Sequence, residues 1–194
     1  LTLDGIKNRE AWEKAGIKLP GYDVEAVSAK AVKEPEWVHF GIGNIFRIFI
    51  GGIADGLLEE GAMDRGITCV ETFDYDVVDK IYRPHDNLGL SVILNGDGTR
   101  DYKVVGSLEE AEKAQSSDAE QWNRLKEIFK SPSLKLVSFT ITEKGYALQK
   151  ADGTWLPYVE ADVKNGPDKA VGAMAVLTAM LYERYKEGKY PLAL

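Results

Sequence analysis

The stretch WVHFGIGNIFRIFIGG, residues 37–52, decides the fold of this 194-residue chain. A short apolar run leads into Gly41 and Gly43, and the apolar residues that follow, such as Ile45 and Phe49, have helical spacing. This pattern predicts a strand, a tight glycine turn and a helix N-terminus in succession. The free N–H groups of a first helical turn bind anions, and glycine lets the main chain approach a pyrophosphate closely. The stretch therefore predicts a dinucleotide-binding loop.

The glycine pattern departs from the full dinucleotide-binding fingerprint at one position. That fingerprint has a third small residue three positions after the second glycine, where this chain has Phe46. A glycine turn that only ends a strand is the simpler interpretation. The apolar run before the turn and the helical spacing after it favour the nucleotide-binding interpretation.

The composition is that of an ordinary folded protein, with 44% hydrophobic and 28% charged residues. The net charge of −7 argues against a nucleic-acid surface, which needs clustered Lys and Arg. No stretch approaches the roughly 20 apolar residues that cross a bilayer, and the N-terminus does not have the pattern of a signal peptide. We expect a cytoplasmic protein that binds neither nucleic acid nor a membrane.

Metal and thiol chemistry are not indicated. Cys69 is the only cysteine, so no intrachain disulfide can form, and its strand-like neighbours indicate a small buried hydrophobe. Two histidines and one cysteine cannot assemble a Cys/His zinc cluster. We expect no metal site. His39, inside the first strand, and His85, in a loop, are expected to be structural.

The chain divides into an arm and one α/β domain. Residues 1–36 form the arm, which ends near Pro35 because proline disfavours helix in the residue before it. Residues 37–194 form a Rossmann-like domain with a mostly parallel sheet and flanking helices. A second strand at residues 66–71 completes a strand–helix–strand unit, and such a crossover joins parallel strands.

Further elements follow this unit along the chain. Residues 90–95 and 102–105 predict an inserted β-hairpin around Gly96 to Thr99, and Ser107 with Glu110 has the spacing of a helix capping box. A helix is expected at 118–130, and the β-branched stretch 134–142 predicts a central strand. Gly166 and Pro167 predict the start of a long helix whose apolar residues cover more than half its circumference. We expect that further chain covers this helix and that the sequence is one domain of a longer protein.

Acidic and hydroxyl residues end two of the predicted strands. Glu71 ends the second strand, where dinucleotide-binding folds have an acid that binds the adenosine ribose, although a solvated carboxylate fits equally well. Asp74 and Asp76 are alternatives, and Asp76 fits better within the next helix. An acid here repels a 2′-phosphate and so favours NAD over NADP. Four residues at the end of the strand at 134–142 are site candidates, because ligands gather at the carboxyl ends of parallel strands: Thr140, Thr142, Glu143 and Lys144. A strand that merely ends in charges is the simpler interpretation.

Four dispersed blocks together resemble one known family. They are LPGYD at 19–23, VHFGIGNIFRIF at 38–49, SFTITEKGY at 138–146 and ERYKEGKYPL at 183–192. In this order they resemble the N-terminal half of the mannitol dehydrogenase family. These polyol-specific long-chain dehydrogenases include mannitol 2-dehydrogenase and the fructuronate and tagaturonate reductases.

The resemblance implies a metal-free, NAD-dependent oxidoreductase that moves hydride between nicotinamide and a secondary alcohol or ketone. The family pattern has an arginine where Arg47 stands and tolerates a bulky residue at Phe46. The catalytic lysine of the family belongs to its C-terminal helical domain, which this sequence does not contain, so no catalytic residue is assigned here. Glu143 and Lys144 are candidates for the substrate rim. The cofactor-binding candidates are Gly41, Gly43, Asn44, Ile45, Phe46, Arg47, Glu71, Thr140 and Thr142.

The leading hypothesis is the cofactor domain of a sugar-alcohol or hexonate dehydrogenase, acting on mannitol and fructose or on mannonate and fructuronate. A regulatory or sensor module that binds NAD without catalysis is the alternative. An α/β domain with a purely structural tight turn is the third.

Overall fold

The computed structural model describes all 194 residues and contains seven strands. They are β1 (Ile17–Lys18), β2 (Trp37–Phe40), β3 (Ile67–Glu71), β4 (Gly89–Leu94), β5 (Arg100–Val105), β6 (Leu108–Lys113) and β7 (Leu136–Phe139).

Eight α-helices accompany the strands. They are α1 (Leu3–Ile6), α2 (Arg9–Lys14), α3 (Val24–Lys33), α4 (Gly51–Glu59), α5 (Ala119–Lys130), α6 (Glu143–Tyr146), α7 (Pro157–Asn165) and α8 (Ala173–Glu187). Two π-helical segments, Phe46–Ile50 and Val78–Tyr82, and two 3-10 turns, Arg83–His85 and Pro167–Lys169, complete the helical structure. No helix among them combines the length and the apolar composition that a bilayer crossing requires.

The main sheet is parallel throughout, with the strand order β6-β3-β2-β7. At its carboxyl edge Phe40 of β2 lies between Val70 of β3 and Phe139 of β7. The predicted Rossmann-like α/β fold is confirmed. The prediction that residues 134–142 form a central strand needs correction, because β7 is the last full strand. Beyond it a single parallel bridge joins Leu136 to Ala193.

A second, smaller sheet has the order β1-β5-β4. The predicted hairpin is present as the antiparallel pair β4 and β5, and β1, from the first 36 residues, adds to it in parallel. Leu19 and Val24 pack with Leu88 and Val104 in a small cluster of their own. The predicted arm thus packs on the inserted hairpin.

The core has one large cluster on each face of the main sheet. On one face, Val38 and Val137 pack against Leu125 of α5 and Met180 of α8. On the other, Cys69 packs with residues that include Ile42, Phe46, Ala54 and Tyr82. Helices cover both faces, so the strands are buried and their carboxyl ends form the accessible edge.

The helix that the capping-box spacing predicts after Ser107 is absent, because residues 108–113 form β6 beside β3. The Ser107 hydroxyl donates to the carbonyl of Gly51 at 2.7 Å instead of capping a helix. Glu110 binds the guanidinium of Arg124 through both carboxylate oxygens, at 2.7 and 3.0 Å. Sheet pairing and this ion pair outweigh the local helical preference.

The face of the helix after the glycine turn also differs from the prediction. The spacing of four between Ile45, Phe49 and Ile53 predicts that this stripe packs against the sheet. These side chains are instead 73%, 66% and 50% exposed. The stripe displaced by one residue, beginning at Phe46 and including the buried Ala54, faces the sheet instead. A π-helical turn at the start of the helix accompanies this displacement.

The last helix begins later than predicted. Pro167–Lys169 form a separate 3-10 turn, and α8 starts at Ala173. The carboxylate of Asp162 separates the two, because it accepts hydrogen bonds from the main-chain N–H groups of Val171 and Gly172, both at 2.9 Å. The residues just before this turn form α7.

Candidate functional site

Gly41 joins the ends of three neighbouring strands. Its φ of +89° lies in the left-handed region, and a Cβ at this position would lie 2.6 Å from the carbonyl oxygen of Thr140. Its N–H donates to the carbonyl of Val70 at 3.0 Å. Only glycine meets both the backbone conformation and the close approach. The chain therefore leaves β2 in a fixed direction, between β3 and β7.

Gly43 opens the first turn of the helix toward solvent. No heavy atom lies within 4 Å of the position its Cβ would occupy, and Gly43, Asn44 and Ile45 are exposed. The first helical hydrogen bond runs from Arg47 N–H to the Gly43 carbonyl at 3.0 Å, and the N–H groups of residues 43–45 donate to no group in the chain. Such unpaired N–H groups at the positive end of a helix can hold an anion.

Phe46 lies behind the turn and not in front of it. Its side chain is fully buried, and its ring stacks on that of His39 with centroids 4.0 Å apart and planes at 9°. The π-helical segment begins at this residue, with Gly51 N–H bonded to the Phe46 carbonyl. The side chain predicted to bind a cofactor thus faces the sheet, and only its main chain belongs to the turn.

His39 lies in a chain of hydrogen bonds that ends at the glycine turn. The indole N–H of Trp37 donates to Ser138 Oγ at 2.6 Å, and Ser138 Oγ lies 2.7 Å from His39 Nδ1. His39 Nε2 lies 2.9 Å from Thr140 Oγ1, which itself donates to the Gly41 carbonyl at 2.7 Å. Thr140 must therefore accept from His39, which fixes the neutral Nε2–H tautomer with Nδ1 accepting from Ser138.

Burial reinforces this neutral state, because it lowers the pKa of His39 to about 4. The expectation that His39 is structural agrees with this environment. Nothing in the local sequence relates His39 to Ser138 and Thr140, because the register of β2 and β7 brings them together.

Glu71 is held beside the glycine turn. One carboxylate oxygen accepts from the N–H groups of Thr72 and Phe73 at 2.9 and 3.0 Å, and the other lies 3.4 Å from the N–H of Ile42. The side chain is 8% exposed. The strand-end acid is thus fixed between its own loop and the glycine turn. The competing Asp76 instead forms a helical ion pair with Lys80.

Arg47 and Tyr82 support the turn from its other side. The Arg47 guanidinium bonds Asn44 Oδ1 and lies over the Tyr82 ring, 5.7 Å from its centroid, while Nη1 is buried without a partner. The Tyr82 hydroxyl donates to the Ile42 carbonyl at 2.9 Å. The unpaired Nη1 leaves a cationic donor available near the first turn. Tyr82 was not predicted from the sequence, where nothing relates it to the glycine turn.

The candidates after β7 divide into two groups. Thr140 contacts the glycine turn, whereas Thr142, Glu143 and Lys144 are exposed in or next to the single turn α6. Beyond α6 lies a mostly apolar cavity of about 460 Å³ between α7 and α8. Its lining includes Gly145, Leu148, Trp155, Tyr158, Met174 and Tyr182.

The two sequence features with possible reactive chemistry lie away from this edge. Cys69 is fully buried in β3, and burial raises the pKa of its thiol, which suits a structural thiol. His85 contacts the Leu1 carbonyl at 3.1 Å in a 3-10 turn. The site therefore combines free amides, a fixed carboxylate and an arginine, which can bind and orient a dinucleotide but offer no evident acid–base group.

Comparison with known proteins agrees with this geometry. The chain is 46% identical over all of its 194 residues to the D-mannonate oxidoreductase of Thermotoga maritima, of which it covers 36%. A solved structure of D-sorbitol dehydrogenase superposes with a TM-score of 0.74 at 27% identity, over 92% of this chain and 36% of that one.

A second solved structure shows the same fold. Pseudomonas fluorescens mannitol 2-dehydrogenase, in complex with NAD and D-mannitol, gives a TM-score of 0.76 at 23% identity, over 96% of this chain and 37% of that one. No protein-family model matches the sequence. The chain spans little more than a third of the length of these relatives. The fold, the glycine turn and these likenesses together support the resemblance of the chain to the N-terminal domain of the mannitol dehydrogenase family.

Proposed function

We propose that this chain is the cofactor domain of an NAD-dependent oxidoreductase that acts on a sugar alcohol or hexonate, with mannonate and fructuronate the first pair to test. The observation that carries the proposal is the glycine turn at the carboxyl edge of a parallel sheet, with free N–H groups at residues 43–45. The 46% identity to a D-mannonate oxidoreductase favours the hexonate pair over mannitol and fructose. When bound, the nicotinamide supplies or accepts the hydride.

The residues at the glycine turn have different roles in binding the cofactor. In this proposal the amides of Gly43, Asn44 and Ile45 hold the pyrophosphate, because each presents an unpaired donor to the same exposed region. Arg47 adds positive charge through its unpartnered Nη1. Thr140, fixed by His39, holds the Gly41 carbonyl and thereby the shape of the turn.

The strand-end acid selects the cofactor. Glu71 is fixed by main-chain N–H groups on both sides, so it cannot easily turn away from a ligand beside the glycine turn. A carboxylate there accepts hydrogen bonds from ribose hydroxyls and repels a 2′-phosphate. We therefore assign NAD, and not NADP, as the cofactor.

A second part of the enzyme supplies the acid–base group in this proposal. A lysine serves as an acid–base catalyst near neutral pH only when burial or nearby charge lowers its pKa. Lys144, the lysine among the rim candidates, is exposed to solvent, so we do not assign it this role. The segment from Thr142 to Lys144 and the adjacent apolar cavity are the parts of this chain that would face the substrate side.

Two assays test the proposal. NADH binding to the chain is measured by energy transfer from its four tryptophans, and the absence of binding would contradict it. The full-length gene product is then assayed for NADH oxidation with fructuronate, tagaturonate and fructose. Turnover of fructuronate supports the hexonate assignment. Binding of NADH without turnover of any of the three would favour the alternative, a sensor module without catalysis.

A further inference from the structure

Phe73 is the most exposed large apolar side chain in the molecule, at 92%. A fully hydrated aromatic ring is unfavourable, because apolar surface is more stable when it is removed from water. The ring stands two residues after Glu71, in the loop that leaves the carboxyl end of β3. It therefore lies at the edge of the sheet where the proposed cofactor binds.

The loop that carries Phe73 is well fixed by hydrogen bonds. The Phe73 N–H donates to Glu71 Oε1 at 3.0 Å, and the other oxygen of the same carboxylate lies 3.4 Å from the N–H of Ile42. Further along, the Tyr75 hydroxyl donates to the Ala114 carbonyl at 3.1 Å. Phe73 is thus displayed from an ordered backbone that is joined to the glycine turn through one carboxylate.

We propose that the Phe73 ring is a stacking platform for the adenine of the dinucleotide. The inference rests on the proposed function, and it assigns the part of the cofactor that no residue above contacts. If Glu71 holds the adenosine ribose, the base is one glycosidic bond from that sugar and must lie close to residues 72–74. An aromatic face offers a purine both dispersion and favourable ring stacking.

The negative charges beside the Phe73 ring disfavour an anionic ligand group at this position. Asp74 and Asp76 are exposed beside Phe73, so a phosphate or carboxylate at this position would be repelled. A neutral aromatic base is not repelled. The adjacent acids thus allow adenine and disfavour both a 2′-phosphate and a ligand bound through an anionic group.

The test uses Phe73→Ala, with Phe49→Ala as the matched control. Phe49 is also an exposed phenylalanine, at 66%, but it lies on the outer face of the helix. Because both rings are exposed, both variants retain the fold, which a thermal melt verifies. Dissociation constants are measured for NADH, AMP and reduced nicotinamide mononucleotide, which contains no adenine.

We expect Phe73→Ala to weaken the binding of NADH and AMP by about 10-fold or more, and to leave the affinity for reduced nicotinamide mononucleotide unchanged. Phe73→Trp retains affinity, and its added tryptophan is quenched by AMP. Phe73→Leu, which keeps apolar area without a π face, restores little. Phe49→Ala binds all three ligands as the unchanged chain does.

Two results would overturn the inference, and they differ in what they say about the proposed function. If the unchanged chain binds NADH and Phe73→Ala binds NADH and AMP equally well, the stacking role is wrong and the proposed function stands. If the unchanged chain binds neither NADH nor AMP, both are wrong.

Discussion

The ring of Phe46 lies flat on the ring of His39, 4.0 Å away, beneath the turn that contains both glycines. This stack explains how the chain departs from the full dinucleotide-binding fingerprint without losing the geometry of the turn. A third small residue normally allows close contact between helix and strand. Here the helix has a π-helical turn near its start, and the ring of Phe46 packs on the planar side chain of His39 in β2.

Gly43→Asp is expected to abolish NADH binding without unfolding the chain. A side chain fits at this position because no atom lies within 4 Å, but a carboxylate would stand where the pyrophosphate charge is proposed to bind. The expected loss is at least about 100-fold in affinity, equivalent to about 2.7 kcal/mol. Titration calorimetry measures it, and Gly43→Ala, which adds a methyl without charge, is the control. Equal binding by Gly43→Asp would exclude the turn as the pyrophosphate site.

Gly41→Ala is expected to destabilise the fold itself. The φ of +89° is unfavourable for alanine, and the new methyl would meet the Thr140 carbonyl at 2.6 Å. We expect a loss of about 2–4 kcal/mol in the free energy of unfolding, from backbone strain and overpacking together. Urea denaturation measures this loss, with Gly43→Ala again the matched control because its site is open. Equal midpoints for the two variants would mean that the turn is less constrained than described.

Glu71→Gln is expected to change cofactor preference more than stability. The amide oxygen can still accept from the N–H groups of Thr72 and Phe73, but the negative charge is gone. The ratio of NADPH to NADH affinity should rise about tenfold, equivalent to about 1.4 kcal/mol. Equilibrium titration with both cofactors provides the ratio. An unchanged ratio would show that Glu71 does not face the ribose.

The buried neutral His39 makes the fold less stable at acidic pH. Its pKa is about 4 in the folded chain and near 6.5 when unfolded, so the unfolded chain binds more protons between these values. Stability therefore falls as pH decreases through this window, by about 3 kcal/mol in total from this residue. His39→Gln keeps one donor and one acceptor but does not titrate. Between pH 7 and pH 4 the urea midpoint should decrease more for the unchanged chain than for the variant. Equal decreases would contradict a buried neutral histidine.

The buried Glu109 makes the fold less stable as the pH rises. Burial raises the pKa of this carboxyl to about 8, and one of its oxygens has no partner. The folded chain then binds more protons than the unfolded chain above pH 4.5, so stability falls as pH rises toward 8. Glu109→Gln should gain about 2 kcal/mol relative to the unchanged chain at pH 8, and little at pH 5. A gain that is the same at both pH values would argue against a protonated Glu109.

The sequence predicts the features of this site that are local. The glycine turn, the strand before it and the second parallel strand follow from residues 37–71, because glycine and a short apolar run restrict the backbone directly. Glu71 was placed correctly at the end of the second strand for the same reason. Its contact with the Ile42 N–H depends on the pairing of two strands and was not predictable from the spacing alone.

The predictions from sequence were wrong where two local patterns fitted equally well and long-range packing determined which one formed. Ile45 and Phe46 each begin a stripe of residues four apart, and the stack on His39 determines which stripe is buried. Ser107 and Glu110 have the spacing of a helix cap, but the Ser107 hydroxyl donates to the Gly51 carbonyl and Glu110 binds the Arg124 guanidinium. Such long-range contacts leave no signal in a single sequence.

The proposed function depends on a pyrophosphate that binds the main-chain N–H groups of residues 43–45. Amide NMR of the 21.5 kDa chain, titrated with ADP-ribose, tests it most directly. We expect large, saturable shifts of the Gly43, Asn44 and Ile45 amide signals, at the same concentration that saturates binding, and no such shifts in the Gly43→Asp variant. Saturable binding that leaves these three signals unmoved would contradict it.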